Sequence, residues 1–187
     1  AENGFWLPSP GLELLNLVKR DCGGRLPLIS EDLGVITKGV ERLRDYFKLP
    51  GMKIIQFAFD GNSDNPYLPE NIQGDNWIVY TGTHDNSTSL GWWKEMDAEN
   101  KERVKVRFSQ VDSPVWELIK IGMSTEGRLF VAPFQDLLNL DDSARFNKPG
   151  TSQNNWSWRL KRYDFIMEKS LKEFGELSLE FKRKKEG

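Results

Sequence analysis

The sequence is poor in the two side chains that most often build metal sites: it has one cysteine, Cys22, and one histidine, His84. A single cysteine excludes an internal disulfide and every multi-cysteine metal motif. A single histidine excludes the two-histidine metal motifs, so no metal and no metal cofactor is expected. With no thiol partner, Cys22 reads as a buried or half-buried free thiol. No apolar run approaches the ~20 residues a membrane span needs. Neither charge sign dominates: 26 basic residues face 28 acidic ones, for a net charge of −2. That balance gives no electrostatic footprint for nucleic acid. Repeats and low-complexity segments are missing. The N-terminal stretch AENGFWLPSPG lacks both the basic and the apolar region of a signal peptide, and it lacks an initiator Met. The chain is therefore expected to be processed or to be a piece of something longer. Its basic end, FKRKKEG, reads as a solvated helix end. A disulfide-free composition fits the cytoplasm, or a plastid stroma if the source is a plant.

What the sequence does have is apolar and aromatic material. Hydrophobic residues make up 38% and charged residues 29%, enough to bury a core. Seven Trp, eleven Phe and four Tyr are present, with tryptophans clustered at Trp92-Trp93 and at Trp156 and Trp158. Most aromatics pack in cores. Tryptophans flanked by Asn, Ser and Thr also suit sugar faces, whose C–H groups lie against indole rings.

Short apolar runs alternate with helical patterns. Strands are predicted at residues 26–29 (LPLI), 52–59 (MKIIQFAF), 77–80 (WIVY) and 127–133 (GRLFVAP). Thr37 can cap a helix carrying Val40, Leu43 and Phe47 at helical spacing, stopped by Leu49-Pro50-Gly51. Further helices are predicted over 90–96, 98–110 and 114–123, the last with Pro114 in its first turn. A turn or two of helix is expected near 136–140. A last helix is expected over 163–185, interrupted near Gly175. This alternation predicts an α/β fold with a parallel sheet and covering helices. Four βα repeats are also half of an eight-stranded (β/α)8 TIM barrel.

Three constellations follow predicted strands, where parallel α/β folds place their sites. The first is Ser30-Glu31-Asp32-Leu33-Gly34; its acids either act chemically or cap the next helix and sit in a loop. The second is Thr83-His84-Asp85-Asn86. It reads as an Asx-turn, as two members of a hydrolase triad, or as two metal ligands. The absence of a G-x-S-x-G turn weakens the triad, and the absence of a second histidine weakens the metal site. The third runs from Asn147-Lys148-Pro149-Gly150-Thr151 to Asn154-Asn155-Trp156-Ser157-Trp158-Arg159. Its amides, hydroxyls and indoles suit sugar hydroxyls, or they form a loop pinned by aromatics. Two carboxylates on successive strand ends suggest glycoside chemistry, in which a retaining enzyme sets a nucleophile and an acid/base about 5–5.5 Å apart.

The motifs ISEDLGVIT, PGMKIIQFAFDG, NPYLP, VYTGTHDN, GWW, PFQDLLNL, RFNKPGT and NNWSWRL occur in one order. Together they resemble the 4-α-glucanotransferases of glycoside hydrolase family 77, the amylomaltases or disproportionating enzymes. The resemblance implies that residues 1–187 are the C-terminal portion of one (β/α)8 catalytic domain. It also implies retaining transfer of an α-1,4-glucan segment to the 4-hydroxyl of glucose or of another glucan, with no organic cofactor. The implied partners are maltooligosaccharides, starch-derived dextrins and glucose, together with the missing N-terminal part of the barrel. By the family pattern Glu31 is the general acid/base. Asp85 is the third carboxylate, gripping the 2- and 3-hydroxyls of the reacting glucose. His84 hydrogen-bonds the same sugar, and Asp60 and Asn155 line the substrate groove. To act as an acid Glu31 must hold a proton at rest, and a neighbouring ionised nucleophile favours that form by like-charge repulsion. Two departures stand out. The family's nucleophilic Asp lies in an Arg-x-Asp-His-type motif that nothing in this chain matches. Ser87 stands where family members commonly carry an acid. A non-catalytic α-glucan-binding module and a related α-glucan hydrolase are the competing readings.

Overall fold

The computed structural model describes Phe5 and residues 7–183. The motif-bearing segments all fall inside that range, while the last four residues of the basic tail, 184–187, lie outside the described residues. The chain forms two compact units, one up to Met52 and one from Lys53 onward.

Among the described residues the first unit carries two helices, α1 (Gly11–Asp21) and α2 (Lys38–Tyr46). Thr37 takes the N-cap position of α2 in extended conformation, as its sequence suggests, although its side chain makes no capping hydrogen bond. Residues 26–29, expected as a strand, form no ladder; Leu28 and Ile29 are exposed. The apolar run is there, but the backbone hydrogen bond nearest to it comes from the Ser30 N–H, which donates to Pro50 O at 2.8 Å. Cys22 is exposed rather than buried, because it falls just past the last turn of α1 instead of on a packed face.

The boundary between the units falls inside β1 (Gly51–Ile54). The sheet has three strands in the order β1, β2 (Trp77–Tyr80) and β3 (Leu129–Val131). Strands β2 and β3 run parallel, with Ile78 opposite Leu129, Val79 opposite Phe130 and Tyr80 opposite Val131. The expected second strand is cut short after Ile54 by a 3-10 turn at Ile55–Phe57. There the Gln56 N–H bonds to Thr81 O at 3.2 Å while the Ala58 N–H turns back to Ile55 O. An apolar run cannot by itself distinguish a strand from a buried turn of helix.

Helices α3 (Ser89–Glu95), α4 (Ala98–Lys105), α5 (Pro114–Met123), α6 (Phe134–Leu137) and α7 (Phe165–Glu180) complete the second unit. Its core gathers Ile55, Val79, Leu118, Ile119, Phe130 and Leu177 around α5. Pro114 opens α5, where its missing N–H costs nothing. Helix α7 runs unbroken through Gly175. A helical glycine costs about 1 kcal/mol relative to Ala, but Phe174 beside it stacks on Phe130 with ring centroids 6.3 Å apart. Past the end of α7, the Arg183 guanidinium donates to the Met123 carbonyl at 2.8 Å and to the carbonyls of Thr125 and Gly127, tying α7 to the turn before β3.

Gly122 is what lets Phe130 lie against α5: a Cβ at this position would collide with the Phe130 ring. Gly122→Ala in the full-length protein is therefore expected to cost about 1–3 kcal/mol by overpacking. The denaturant midpoint reads this, and an unchanged midpoint would contradict the packing described.

Candidate functional site

In the first unit, the two neighbouring acids of the EDLG segment have opposite fates. Asp32 is buried. It accepts from Arg44 Nη1 at 2.5 Å and from the Met52 N–H at 2.7 Å, so it ties α2 to the start of β1 and caps no helix. Glu31 is exposed, and among the described residues its carboxylate has no hydrogen-bond or ion-pair partner. One acid is spent on structure and the other is left available for chemistry.

In the second unit, Thr81 to Thr88 connect β2 to α3. Asn86 closes a tight turn here. Its Oδ1 accepts from the Thr83 N–H at 2.8 Å and from the Thr83 hydroxyl at 2.7 Å. The Thr83 hydroxyl also accepts from the Asp85 N–H at 3.2 Å. The THDN segment thus closes on the hydroxyl of Thr83 as an ST-turn rather than as the expected Asx-turn, and this turn presents His84 and Asp85. Their side chains are 48% and 44% exposed, open to a ligand yet anchored. Asp85 Oδ1 accepts from Asn147 Nδ2 at 2.6 Å and lies 3.3 Å from His84 Nε2. Behind the carboxylate, Arg145 acts on the backbone. Its guanidinium donates to Asp85 O at 2.7 Å, to Asn147 O at 2.8 Å and to the Ser87 hydroxyl at 3.1 Å. The Asn147 N–H closes the ring onto His84 O at 3.2 Å.

The loop from Phe146 to Trp158 adjoins this cluster. The Trp156 ring lies 5.1 Å from the His84 ring and 6.4 Å from Phe146, centroid to centroid. Phe146 meets Trp158 edge-on at 5.8 Å. Asn155 binds its own loop: Oδ1 accepts from the Lys148 N–H at 3.0 Å and Nδ2 donates to Thr151 O at 2.9 Å. An open hollow of about 1070 Å³ is lined by Asn147, Thr151, Asn154, Asn155 and Arg145, among others. Asp60 makes its hydrogen bond locally, accepting from the Asn62 N–H at 2.9 Å in the loop after the 3-10 turn. The Asn65 side chain first, then Asn62, holds its carboxyl below the usual carboxylate range. The structure therefore brings His84, Asp85 and the Asn155 loop together, whereas Asp60 serves the turn it starts. Among the described residues no group of three His, Cys, Asp or Glu side chains is placed to hold a metal.

The residue that sequence reasoning missed is Asp136. Only 1% exposed, it accepts from the Thr81 hydroxyl at 2.6 Å, the Ser89 N–H at 2.8 Å and the Ser89 hydroxyl at 2.7 Å. Burial pushes its carboxyl above the usual range, and the hydrogen bonds from Thr81 and Ser89 oppose that. Asp136 thereby pins both ends of the stretch that presents His84 and Asp85. The available signal was an acid in the apolar run PFQDLLNL, since a charge there must be paired or hydrogen-bonded.

Removing that carboxylate leaves buried donors unsatisfied, at about 1–3 kcal/mol each. Asp136→Ala is thus expected to lower the unfolding free energy of the full-length protein by about 3 kcal/mol, read by denaturant titration. A second expectation concerns Asp141, whose carboxyl Lys94 first and Ser143 second bring down to about 2. Because the folded value lies below that of the unfolded chain, the stabilisation is present above ordinary carboxylate values. It is lost as pH falls through about 2. An NMR titration of Asp141 is expected to give about 2, and Lys94→Met to move the value upward.

Comparison with known proteins bears on this arrangement. The sequence profile of the 4-alpha-glucanotransferase family, glycoside hydrolase family 77, matches residues 1–165. The 4-alpha-glucanotransferase of Synechocystis sp. is 45% identical over 161 residues, which is 85% of this chain and 32% of that protein. The Arabidopsis thaliana enzyme "4-alpha-glucanotransferase DPE1, chloroplastic/amyloplastic" is 42% identical over 159 residues, 84% of this chain and 27% of that protein. A solved structure, the amylomaltase from Streptococcus agalactiae in complex with acarbose, superposes with a TM-score of 0.89 at 31% identity. It covers 97% of this chain and 37% of its own. The chain spans about a third of the length of the relatives it matches. With its parallel β2–β3 pair, the polar cluster after β2 and a profile match over most of its length, the chain belongs to the 4-alpha-glucanotransferase family.

Proposed function

We propose that this chain is the C-terminal half of a (β/α)8 catalytic domain of a 4-α-glucanotransferase. That enzyme moves an α-1,4-glucan segment to the 4-hydroxyl of glucose or another glucan by retaining double displacement. The observation that carries the reading is the Asp85 carboxylate. It is half-exposed beyond the C-terminal end of β2 and fixed by Asn147 at 2.6 Å, with its backbone held by Arg145. Sites of parallel α/β enzymes lie at such strand ends.

In this reading Glu31 gives its proton to the departing glycosidic oxygen as a carboxylate supplied by the rest of the enzyme attacks the sugar C1. The deprotonated Glu31 then takes the proton of the incoming 4-hydroxyl, whose oxygen attacks C1 and frees the nucleophile. The exposed, unpartnered Glu31 carboxylate suits a group that must trade protons twice per cycle. Asp85, with His84 beside it, grips the hydroxyls of the reacting glucose and strengthens that grip as the ring flattens. Substrates are α-1,4-glucans, in keeping with the acarbose bound to the Streptococcus agalactiae amylomaltase. The compartment is the cytoplasm, or the plastid stroma in a plant, in keeping with the words chloroplastic/amyloplastic in the name of the Arabidopsis relative. Asp60 and Asn155 shape the groove, Asn155 by holding the loop that bears Trp156.

Maltotriose is the substrate that tests this reading. The full-length enzyme is expected to yield glucose together with longer maltodextrins, whereas glucose and maltose alone would mean hydrolysis. Glu31→Gln and Asp85→Asn are each expected to lower kcat by about 10²–10⁴-fold while melting like the parent. The isolated 187-residue chain is expected to be inactive. Full activity in either variant would remove that residue from the mechanism.

A further inference from the structure

Two adjacent polar side chains of α6 are buried to the same degree: Gln135 and Asp136 are each 1% exposed. Asp136 holds the stretch that carries Asp85, whereas the Gln135 amide turns to another segment. Gln135 Nε2 donates to Ala144 O at 3.1 Å. Its Oε1 has no hydrogen-bond partner among the described residues. An unpaired buried acceptor is costly, so an amide in such a place is retained for the bond it does make. Here that bond goes to one carbonyl.

That carbonyl belongs to the peptide unit leading into Arg145. A peptide unit is planar, so its O and its N–H move as one rigid body. Both ends of this one are held: Gln135 donates to Ala144 O, and the Arg145 N–H donates to Asp142 O at 3.2 Å. Asp142 is tied in turn, since the Thr88 N–H donates to its Oδ1 at 2.8 Å. The Arg145 side chain therefore departs from a fixed plane. Its guanidinium reaches Asp85 O at 2.7 Å, Asn147 O at 2.8 Å and the Ser87 hydroxyl at 3.1 Å. The path from Gln135 to the backbone of Asp85 thus runs through two hydrogen bonds and a single side chain.

We propose that Gln135 is a positioning residue of the transfer reaction: by fixing the Ala144–Arg145 peptide it sets Arg145, and through Arg145 the place of the Asp85 carboxylate. The proposal rests on the glucanotransferase reading. Buried as it is, Gln135 meets no substrate and acts only through the clamp. Placement matters because a shift of about 1 Å in a group that grips the reacting ring costs on the order of 10²-fold in rate. The effect falls on kcat, since a grip that strengthens as the ring flattens lowers the barrier more than it tightens ground-state binding.

Gln135→Met in the full-length protein keeps the volume while removing both the unpaired Oε1 and the Nε2 donor. With maltotriose as substrate it is expected to lower kcat about tenfold, with KM within about twofold of the parent and a Tm close to the parent's. A double-mutant cycle reads the route. Because Gln135 acts through Asp85, adding Gln135→Met to Asp85→Asn is expected to lower kcat by less than about twofold further. A parental kcat in Gln135→Met overturns the proposal alone, as does a loss confined to KM or a second full loss on top of Asp85→Asn. A lowered Tm with unchanged kcat per folded molecule assigns the amide to packing and overturns it too. If Gln135→Met does not fold, Gln135→Leu takes its place, and failure of both to fold counts against the proposal in the same way. A parent protein that forms no longer maltodextrins from maltotriose overturns the glucanotransferase reading, and this proposal with it.

Discussion

The second unit depends on one buried carboxylate. Asp136 sits at the start of α6 yet binds Thr81 at the end of β2 and Ser89 at the start of α3. A charge taken out of water is tolerable only when its lone pairs are satisfied, and here three donors converge on two oxygens. The two anchored residues bracket the stretch that carries His84 and Asp85, so the geometry of the exposed pair is set from below by a group that never meets solvent. Gln56 adds a second tie, donating to Ser87 O at 3.1 Å and reaching the Ser89 hydroxyl at 3.4 Å. Gly82 belongs to the same arrangement: a Cβ there would come within 2.8 Å of Gln56 Nε2.

Above that base, a second set of bonds turns the loop into a presenting surface. Asn147 holds the Asp85 side chain, and Arg145 holds its backbone. Asp142 joins in from the adjacent 3-10 turn, accepting from the Thr88 N–H at 2.8 Å and lying 3.5 Å from Arg145 Nη1. Its approach to α3 is close enough that residue 91 has to be glycine, since a Cβ there would collide with the Asp142 carboxylate. The segment from 134 to 158, with little regular structure of its own, is thus the scaffold of the site.

Sequence patterns made much of this legible. WIVY is a strand over the very residues foreseen, and α5 starts at Pro114 and ends at Met123 as its periodicity indicates. Both elements have strong local signals that burial reinforces. LPLI and the end of MKIIQFAF were misread, because an apolar run says that a segment is apolar and not which partners its backbone will find. Gly175 misled in the other direction: packing of Phe174 and Leu177 overrode a local propensity worth about 1 kcal/mol. The cluster at 83–86 was legible as a turn from its Thr, Asp and Asn, and as a candidate site because parallel α/β folds place their sites just past strand ends. Its supports were not. The bonds from Asn147 and Arg145 to Asp85 span about sixty residues of chain, and no local pattern announces a contact at that distance.

Arg145 grips position 85 through the backbone carbonyl rather than the carboxylate. Every amino acid carries that carbonyl, so the clamp is blind to the side chain it presents. Loop shape and acid chemistry are therefore inherited separately. The side chain at 85 can change while the backbone clamp stays in place. The loop would therefore keep its fold in a variant whose carboxylate at 85 had been replaced.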